Sequence, residues 1–268
     1  MKNSKLTYTL LILCLLVIGN IAKSEGRLVD SIPISSNQFR VDILGNVYWT
    51  TGNTLFKYSI ANNDKIEYTN TFLGEIDEYD VSNPLKILVY YKTQNQVLYL
   101  DKNLAEIASP TSLDQAGISE AKAICSSTRG GFWILNPISR RIEHYNQNLQ
   151  RKTESSILPE LFEGNKTDVR LTEKNNLLYC SIPGRFVLSF DLYGNLYKRH
   201  PLKNVENIQI INENIFYFYK GSLNKYNINT LEKSTVEIPA PGRGWDKVKV
   251  TQDGTFYNLK NRRIYIYK

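Results

Sequence analysis

The chain has 268 residues, with 33 Lys and Arg against 26 Asp and Glu, a formal charge of +7, two His and three Cys. That length lets one closed domain bury a large core, and so mild a basic excess, with no charge block, is not a nucleic-acid footprint. Two histidines without ligand spacing, no G-x-S-x-G phrase and no Gly-rich phosphate loop set aside the common zinc, serine-nucleophile and nucleotide sites.

Lys2 and Lys5 precede an apolar run at 10–18 that is too short to span a bilayer well. Ala22 and Ser24 stand where a signal peptidase reads small residues. A leader at 1–24 is expected, cleaved after Ser24. Its removal takes three lysines and no acid, leaving +4 of the +7. Leu13 ahead of Cys14 does not fit lipidation. The mature chain, 25–268, is expected to be exported to the periplasm or the outer membrane, with no transmembrane segment.

After the leader no helical period occurs. Short runs rich in Val, Ile, Phe and Tyr alternate with Asn, Gly, Asp and Pro clusters, the pattern of many short antiparallel strands. An unassigned strand at 27–34 comes first. The next stretch reads as four strands, at 39–43, 47–50, 55–58 and 65–68, joined by turns such as Gly45-Asn46 and Asn62-Asn63 that accept positive φ cheaply. The second strands of later repeats are almost wholly apolar, at 87–91, 132–135, 177–180, 215–219 and 255–257. A strand apolar on both faces must be covered on both.

A closing pair recurs, an aromatic residue or Leu followed by a polar one. It appears at Tyr58-Ser59, Leu100-Asp101, Tyr145-Asn146, Phe190-Asp191, Tyr226-Asn227 and Tyr267-Lys268, with spacings of 42, 45, 45, 36 and 41 residues. This is the period of propeller blades. The fold class is therefore all-β: a six-bladed β-propeller, in which each blade is sandwiched between neighbours. The sixth repeat has three strands. The strand at 27–34 would complete it and cover an open edge.

The phrase Asp42-Ile43-Leu44-Gly45-Asn46-Val47-Tyr48 resembles the D-x-x-G-N-x-Y opening of NHL-type repeats, and Gln252-Asp253-Gly254-Thr255-Phe256-Tyr257 is a looser copy. The stretch from Asp80 to Leu88 resembles a phrase of exported propellers of Bacteroidota. The resemblance implies an envelope-located propeller and carries over no active residues.

Cys125 and Cys180 can be read as a disulfide of an exported chain or as buried thiols, the blander reading. His144 and His200 read as solvated surface residues. Asn165-Lys166-Thr167 is a sequon in the longest loop, and Asp30-Ser31-Ile32 matches a short O-glycosylation phrase in the proposed closing strand.

Two loop patterns remain. The hairpins between second and third strands carry Lys92, Arg140, Arg141, Arg185, Lys220, Arg262 and Arg263. With Arg243 and Trp245 they would form a basic, partner-binding face. Asp80, Glu120, Asp168, Glu206 and Asp246 lie near the starts of first strands, where carboxylates could crowd the channel mouth and hold Ca²⁺. Two functions compete. One is a non-catalytic binding scaffold that meets envelope proteins or an anionic glycan and needs no cofactor. The other is a metal-dependent hydrolase or lactonase. A third, weaker reading is a lyase.

Overall fold

The computed structural model describes residues 26–162, 169–203, 205–240 and 244–268, with only the backbone at 206 and 207. The expected leader, the sequon, Asp168 and Arg243 lie outside the described residues. The first strand, β1 (Leu28–Pro33), belongs to the last sheet. Blade 1 is β2 (Arg40–Val41), β3 (Val47–Thr51), β4 (Thr54–Ser59) and β5 (Asp64–Thr69). Blade 2 is β6 (Glu78–Asp80), β7 (Ile87–Tyr91), β8 (Gln96–Leu100) and β9 (Thr111–Ser112). Blade 3 is β10 (Ala123–Ser126), β11 (Phe132–Asn136), β12 (Arg141–Tyr145) and β13 (Arg151–Glu154). Blade 4 is β14 (Arg170–Lys174), β15 (Leu177–Ile182), β16 (Phe186–Asp191) and β17 (Leu196–His200). Blade 5 is β18 (Glu206–Ile211), β19 (Asn214–Tyr219), β20 (Ser222–Asn227) and β21 (Lys233–Val236). Blade 6 is β22 (Lys247–Val250), β23 (Phe256–Lys260) and β24 (Arg263–Tyr267), completed by β1.

The ring closes as the sequence reading expects. β1 pairs antiparallel with β24, with Ser31 opposite Tyr265 and Ile32 opposite Ile264. Beyond the strand, Arg27 and Lys268 exchange backbone bonds of 2.8 and 3.0 Å, and Ile34 N–H donates to Arg262 O at 2.8 Å. The first and last described segments thus share one sheet, which gives the last blade four strands like the others.

The buried apolar residues form six clusters, one for each interface between blades. Blades 3 and 4, for example, meet through Trp133, Leu135, Leu178, Cys180 and Phe190. Blades 1 and 2 meet through Tyr48, Leu55, Val89 and Tyr91. β7 and β11 are buried along their whole length, as their unbroken apolar runs require. β19 differs. Its burial alternates, leaving Phe216 and Phe218 only partly covered by the blade 5–blade 6 cluster. Cys125 and Cys180 are free thiols in the cluster between blades 3 and 4. Burial pushes both thiols up in pKa, Cys180 to about 12, so they pack as small apolar residues.

The closing pairs have a physical cause. The first member is buried in an interface, and in four of the six pairs the second caps the turn into the outermost strand. The Asp101 carboxylate accepts from the N–H groups of Asn103 (2.8 Å) and Ala105 (2.9 Å). Asn146, Asp191 and Asn227 do the same in their blades. These are Asx-turns, which only a short side-chain oxygen acceptor can make. The first strand of blade 1 is shorter than its alternation suggests, for a related reason. Asp42 turns the chain by accepting from Leu44 N–H (2.8 Å), Asn46 N–H (2.9 Å), the Asn46 amide (2.7 Å) and Tyr48 Oη (2.9 Å).

Candidate functional site

The hairpins between second and third strands emerge on one face of the disc, together with the segments that lead into the first strands. The turns between first and second strands lie on the other. Two chambers occupy the axis. The chamber opening among the hairpins has a volume of about 400 Å³ and reaches Lys92, Asp77 and Lys122. The other has a volume of about 910 Å³ and opens among the turns that carry Asp42, Gly45 and Asp253. Arg40, Glu78 and Arg170 line both chambers, so they form the waist between them.

The predicted basic residues divide into two groups. Arg140, Lys220 and Arg262 are exposed, and their side chains make no hydrogen bond or ion pair among the described residues. Each sits at the left-handed position of its turn, with φ of 55°, 48° and 57°. The equivalent four-residue hairpin of blade 2 uses Asn95 there, at φ 48°. The other cations are engaged. Lys92 pairs with Glu120 at 2.8 Å. Arg141 reaches Glu154 at 3.5 Å and the Ser155 carbonyl. Arg185 donates to Glu160 O at 2.9 Å, and Arg263 donates to Ser31 Oγ at 3.3 Å. Trp245, expected as an exposed aromatic, is half-buried. It packs on Tyr265 (5.7 Å between ring centroids) and Tyr267 (6.4 Å), with Lys260 over its ring. Its sheet face is apolar, which draws the indole inward.

The five acids do not share one level. Glu120 and Asp246 precede their first strands on the hairpin face, whereas Asp80 ends β6 on the turn face. The acid that precedes the first strand of blade 2 is Asp77. Asp77 and Asp246 play one structural part: each carboxylate accepts from the first N–H of its own hairpin, Lys92 N–H at 2.8 Å and Asn261 N–H at 3.0 Å. Asp80 accepts from Ser82 N–H (2.8 Å) and Ser126 N–H (2.9 Å), tying blade 2 to blade 3. Asp168 and the Glu206 side chain lie outside the described residues. Among those described, no three His, Cys, Asp or Glu groups cluster as a metal site would.

The histidines are a correction. His144 and His200 are buried, not solvated, at 3% and 1% exposure. His144 Nε2 bonds to Gly130 O at 2.9 Å beside the Trp133 ring, and His200 Nε2 bonds to Ser189 Oγ at 3.0 Å between Tyr179 and Tyr226. Register misled the reading. On a blade, both sheet faces are inter-blade faces, so a polar residue in a third or fourth strand need not meet water. Burial lowers the pKa of both, that of His200 to about 4.

The waist was not foreseen. Its signal is a charged residue within a first strand, as in Arg40-Val41 and Arg170-Leu171; Lys249-Val250 repeats it on the wall of the larger chamber. Arg40 donates to the Glu78 carboxylate and the Tyr79 carbonyl and lies over the Tyr79 ring at 4.5 Å. Arg170 donates to Gln38 Oε1 at 2.8 Å.

No family model matches the sequence, and no curated protein does. Among solved structures, the chain is similar to a streptogramin B lyase at 14% identity and a TM-score of 0.62, covering 93% of this chain and 99% of that one. It is similar to a catalytically inactive virginiamycin B lyase of Staphylococcus aureus with quinupristin, at 13% identity and 0.57, covering 89% and 87%. The chain is a six-bladed β-propeller. The propeller also resembles the extracellular domain of a putative one-component system of B. thetaiotaomicron, at 13% identity and 0.54, covering 85% of this chain and 32% of that one. Identities this low establish the fold alone. No helix among the propeller's described residues is long and apolar enough to cross a membrane.

Proposed function

We propose that this propeller is an exported binding module of the bacterial envelope, related to NHL-type propellers, that meets an anionic partner through its hairpin face. The partner is an acidic surface of an envelope protein or an anionic glycan. One observation carries the reading. Arg140, Lys220 and Arg262 hold turn positions where a left-handed backbone costs a residue other than Gly or Asn roughly 1 kcal/mol. Their charges gain no ion pair within the described protein in return, although Lys220 lies over the Tyr219 ring at 5.3 Å. Cations kept at strained, exposed turns without an ion pair suit contact with another molecule better than they suit stability. His144 and His200 line neither chamber, which supports binding over His-dependent chemistry. The leader-like residues 1–24 and the likeness to an extracellular domain support export.

The test uses two variants of the full mature chain. Arg140→Gly with Lys220→Gly and Arg262→Gly removes the charges while relieving the turns; the matching triple Glu variant reverses them. Both should stay folded, with the Gly variant at least as heat-stable as the parent. Both should lose capture of the partner from native envelope fractions, and parental capture should weaken with salt. Undiminished capture by the Glu variant would remove the hairpin face from the account.

A further inference from the structure

Lys249 stands in the middle of β22. Val248 and Val250, on either side of it, turn toward the cluster between blades 5 and 6, so Lys249 turns the other way, toward blade 1. Its partner across the ladder is Tyr257, and its amine lies 5.9 Å from the centre of the Phe39 ring. Phe39 and Tyr257 both belong to the cluster between blades 6 and 1. A lysine therefore occupies a place where its neighbours are aromatic, half-buried on the wall of the larger chamber. Among the described residues the Phe39 ring is the contact of that amine, which makes no hydrogen bond and no ion pair. A lysine this enclosed is ordinarily paired or hydrogen-bonded.

The carboxylates of this chamber are committed elsewhere. Glu78 on β6 is taken by Arg40. Asp42 and Asp253 are bonded into their own turns, and Asp80 accepts from Ser82 and Ser126. Glu173 on β14 is buried between blades, accepting from Trp133 Nε1 at 2.6 Å and Thr128 N–H at 2.9 Å. On β18 the neighbour is Gln209, a neutral amide that bonds both ways to the Val250 backbone at 3.2 Å. Lys174 and the side chain of Lys268 also line the chamber, whereas Lys122 of blade 3 lines the other one. Of the remaining cations, Arg40 is held by Glu78, and Arg170 and Lys247 have partners of their own. Burial therefore comes first in drawing the Lys249 pKa down to about 7, followed by the charges of Arg170, Arg40 and Lys247. At pH 7 about half of such an amine is the free base, against about one part in 2,500 for an ordinary lysine.

We propose that Lys249 is a nucleophilic amine that captures a small aldehyde in the larger chamber as a reversible imine. An unpaired amine on an apolar wall has a lone pair to offer, and desolvation is a recognised way to activate lysine toward carbonyl carbon. The lone pair attacks that carbon and a C–N bond forms. The C=O π pair moves to the oxygen, which takes a proton from solvent. The nitrogen then sheds its protons to solvent and forms the C=N bond as the oxygen leaves in water. The two hydrogens of that water balance the two lost by the amine, and no oxidant or reductant takes part. The chamber, of about 910 Å³, opens on the turn face and has room for the aldehyde, whose body would lie along Val41, Leu171 and Val250. This site is on the opposite side of the disc from the exposed hairpin cations, so it stands or falls independently of the hairpin face.

The experiment is reductive trapping. The mature protein is held at pH 7 with propanal and cyanoborohydride, which fixes each imine as a secondary amine. Peptide mass maps then give the rate at each lysine, with the exposed Lys220 as internal reference. Lys249 should react at least about tenfold faster than Lys220. The ratio of the two rates should fall as the pH is raised toward 10, where an ordinary lysine also loses its proton, and urea should erase it. Lys249→Met, which breaks no hydrogen bond, should fold, lose the fast-reacting site and leave the rate at Lys220 unchanged. Burial without reactivity would give the opposite sign, with Lys249 protected in the folded protein and exposed by urea. A rate at Lys249 equal to or below that at Lys220, or a ratio that does not change with pH, overturns the site.

Discussion

At the scale of single residues, the histidines carry the clearest pH consequence. His200 is held neutral in an apolar pocket, with its pKa lowered to about 4, while an unfolded histidine titrates near 6.5. Between those values the unfolded chain binds the extra proton, so stability rises with pH and is lost as pH falls from about 6.5 to 4. A shift of this size is on the order of 3 kcal/mol for so buried a group. Urea midpoints measured from pH 7 to 4 should fall, and His200→Gln should fall less steeply. Equal slopes would mean that His200 is not held neutral by burial. His144 adds in the same direction. Neither role was legible in the sequence, because a polar residue in a third or fourth strand looks solvated until both of its faces are known to meet neighbouring blades. The axial cations were hidden for a related reason. Arg40, Arg170 and Lys249 lie far apart in sequence and come together only when three different first strands reach the axis.

At the scale of strands and turns, most of the structure was legible. The closing pairs marked the ends of third strands because two demands fall on adjacent residues there, burial for one and a turn cap for the next. The pattern is weaker in blade 1, where Ser59 stands at the capping position. The apolar second strands were also readable, and Trp133 and Tyr91 show why: each belongs to a strand that must satisfy two interfaces. The acids before the first strands were harder. The frame that recurs between blades 2 and 6 is Asp77 and Asp246, each capping a hairpin through one backbone N–H, and a three-residue slip substituted Asp80 for Asp77. Turn chemistry also supplies a prediction. Gly131 has φ of 74°, and a Cβ there would press into the Tyr145 carbonyl and lie 2.7 Å from Asn146 Cα. Backbone cannot yield as a flexible side chain can. Gly131→Ala should therefore cost about 2 kcal/mol or more, read as a lower melting temperature. An unchanged melting temperature would contradict the close approach of that turn to the end of β12.

At the scale of the whole molecule, six inter-blade clusters replace a single central core, and the axis carries charged groups such as Arg40, Glu78 and Arg170 among apolar neighbours such as Leu171 and Val250. That division lets an ordinary composition hold both a rigid disc and an axial channel with charged groups at its waist. It also makes closure decisive. Each interface needs a blade on both sides, and the interface between blades 6 and 1 exists because β1 lies on β24 and supplies Ile32 to the same cluster as Trp49 and Ile264. The most direct measurement is disulfide trapping across that seam. Ser31 and Tyr265 are opposite one another in the ladder, a separation a disulfide spans. Both natural cysteines of the described chain are buried and free. In Ser31→Cys with Tyr265→Cys, mild oxidation should give an intramolecular 31–265 bridge in peptide mass maps, with a raised melting temperature. Thiols that stay reduced, or that link only between molecules, would contradict a ring closed by its first strand.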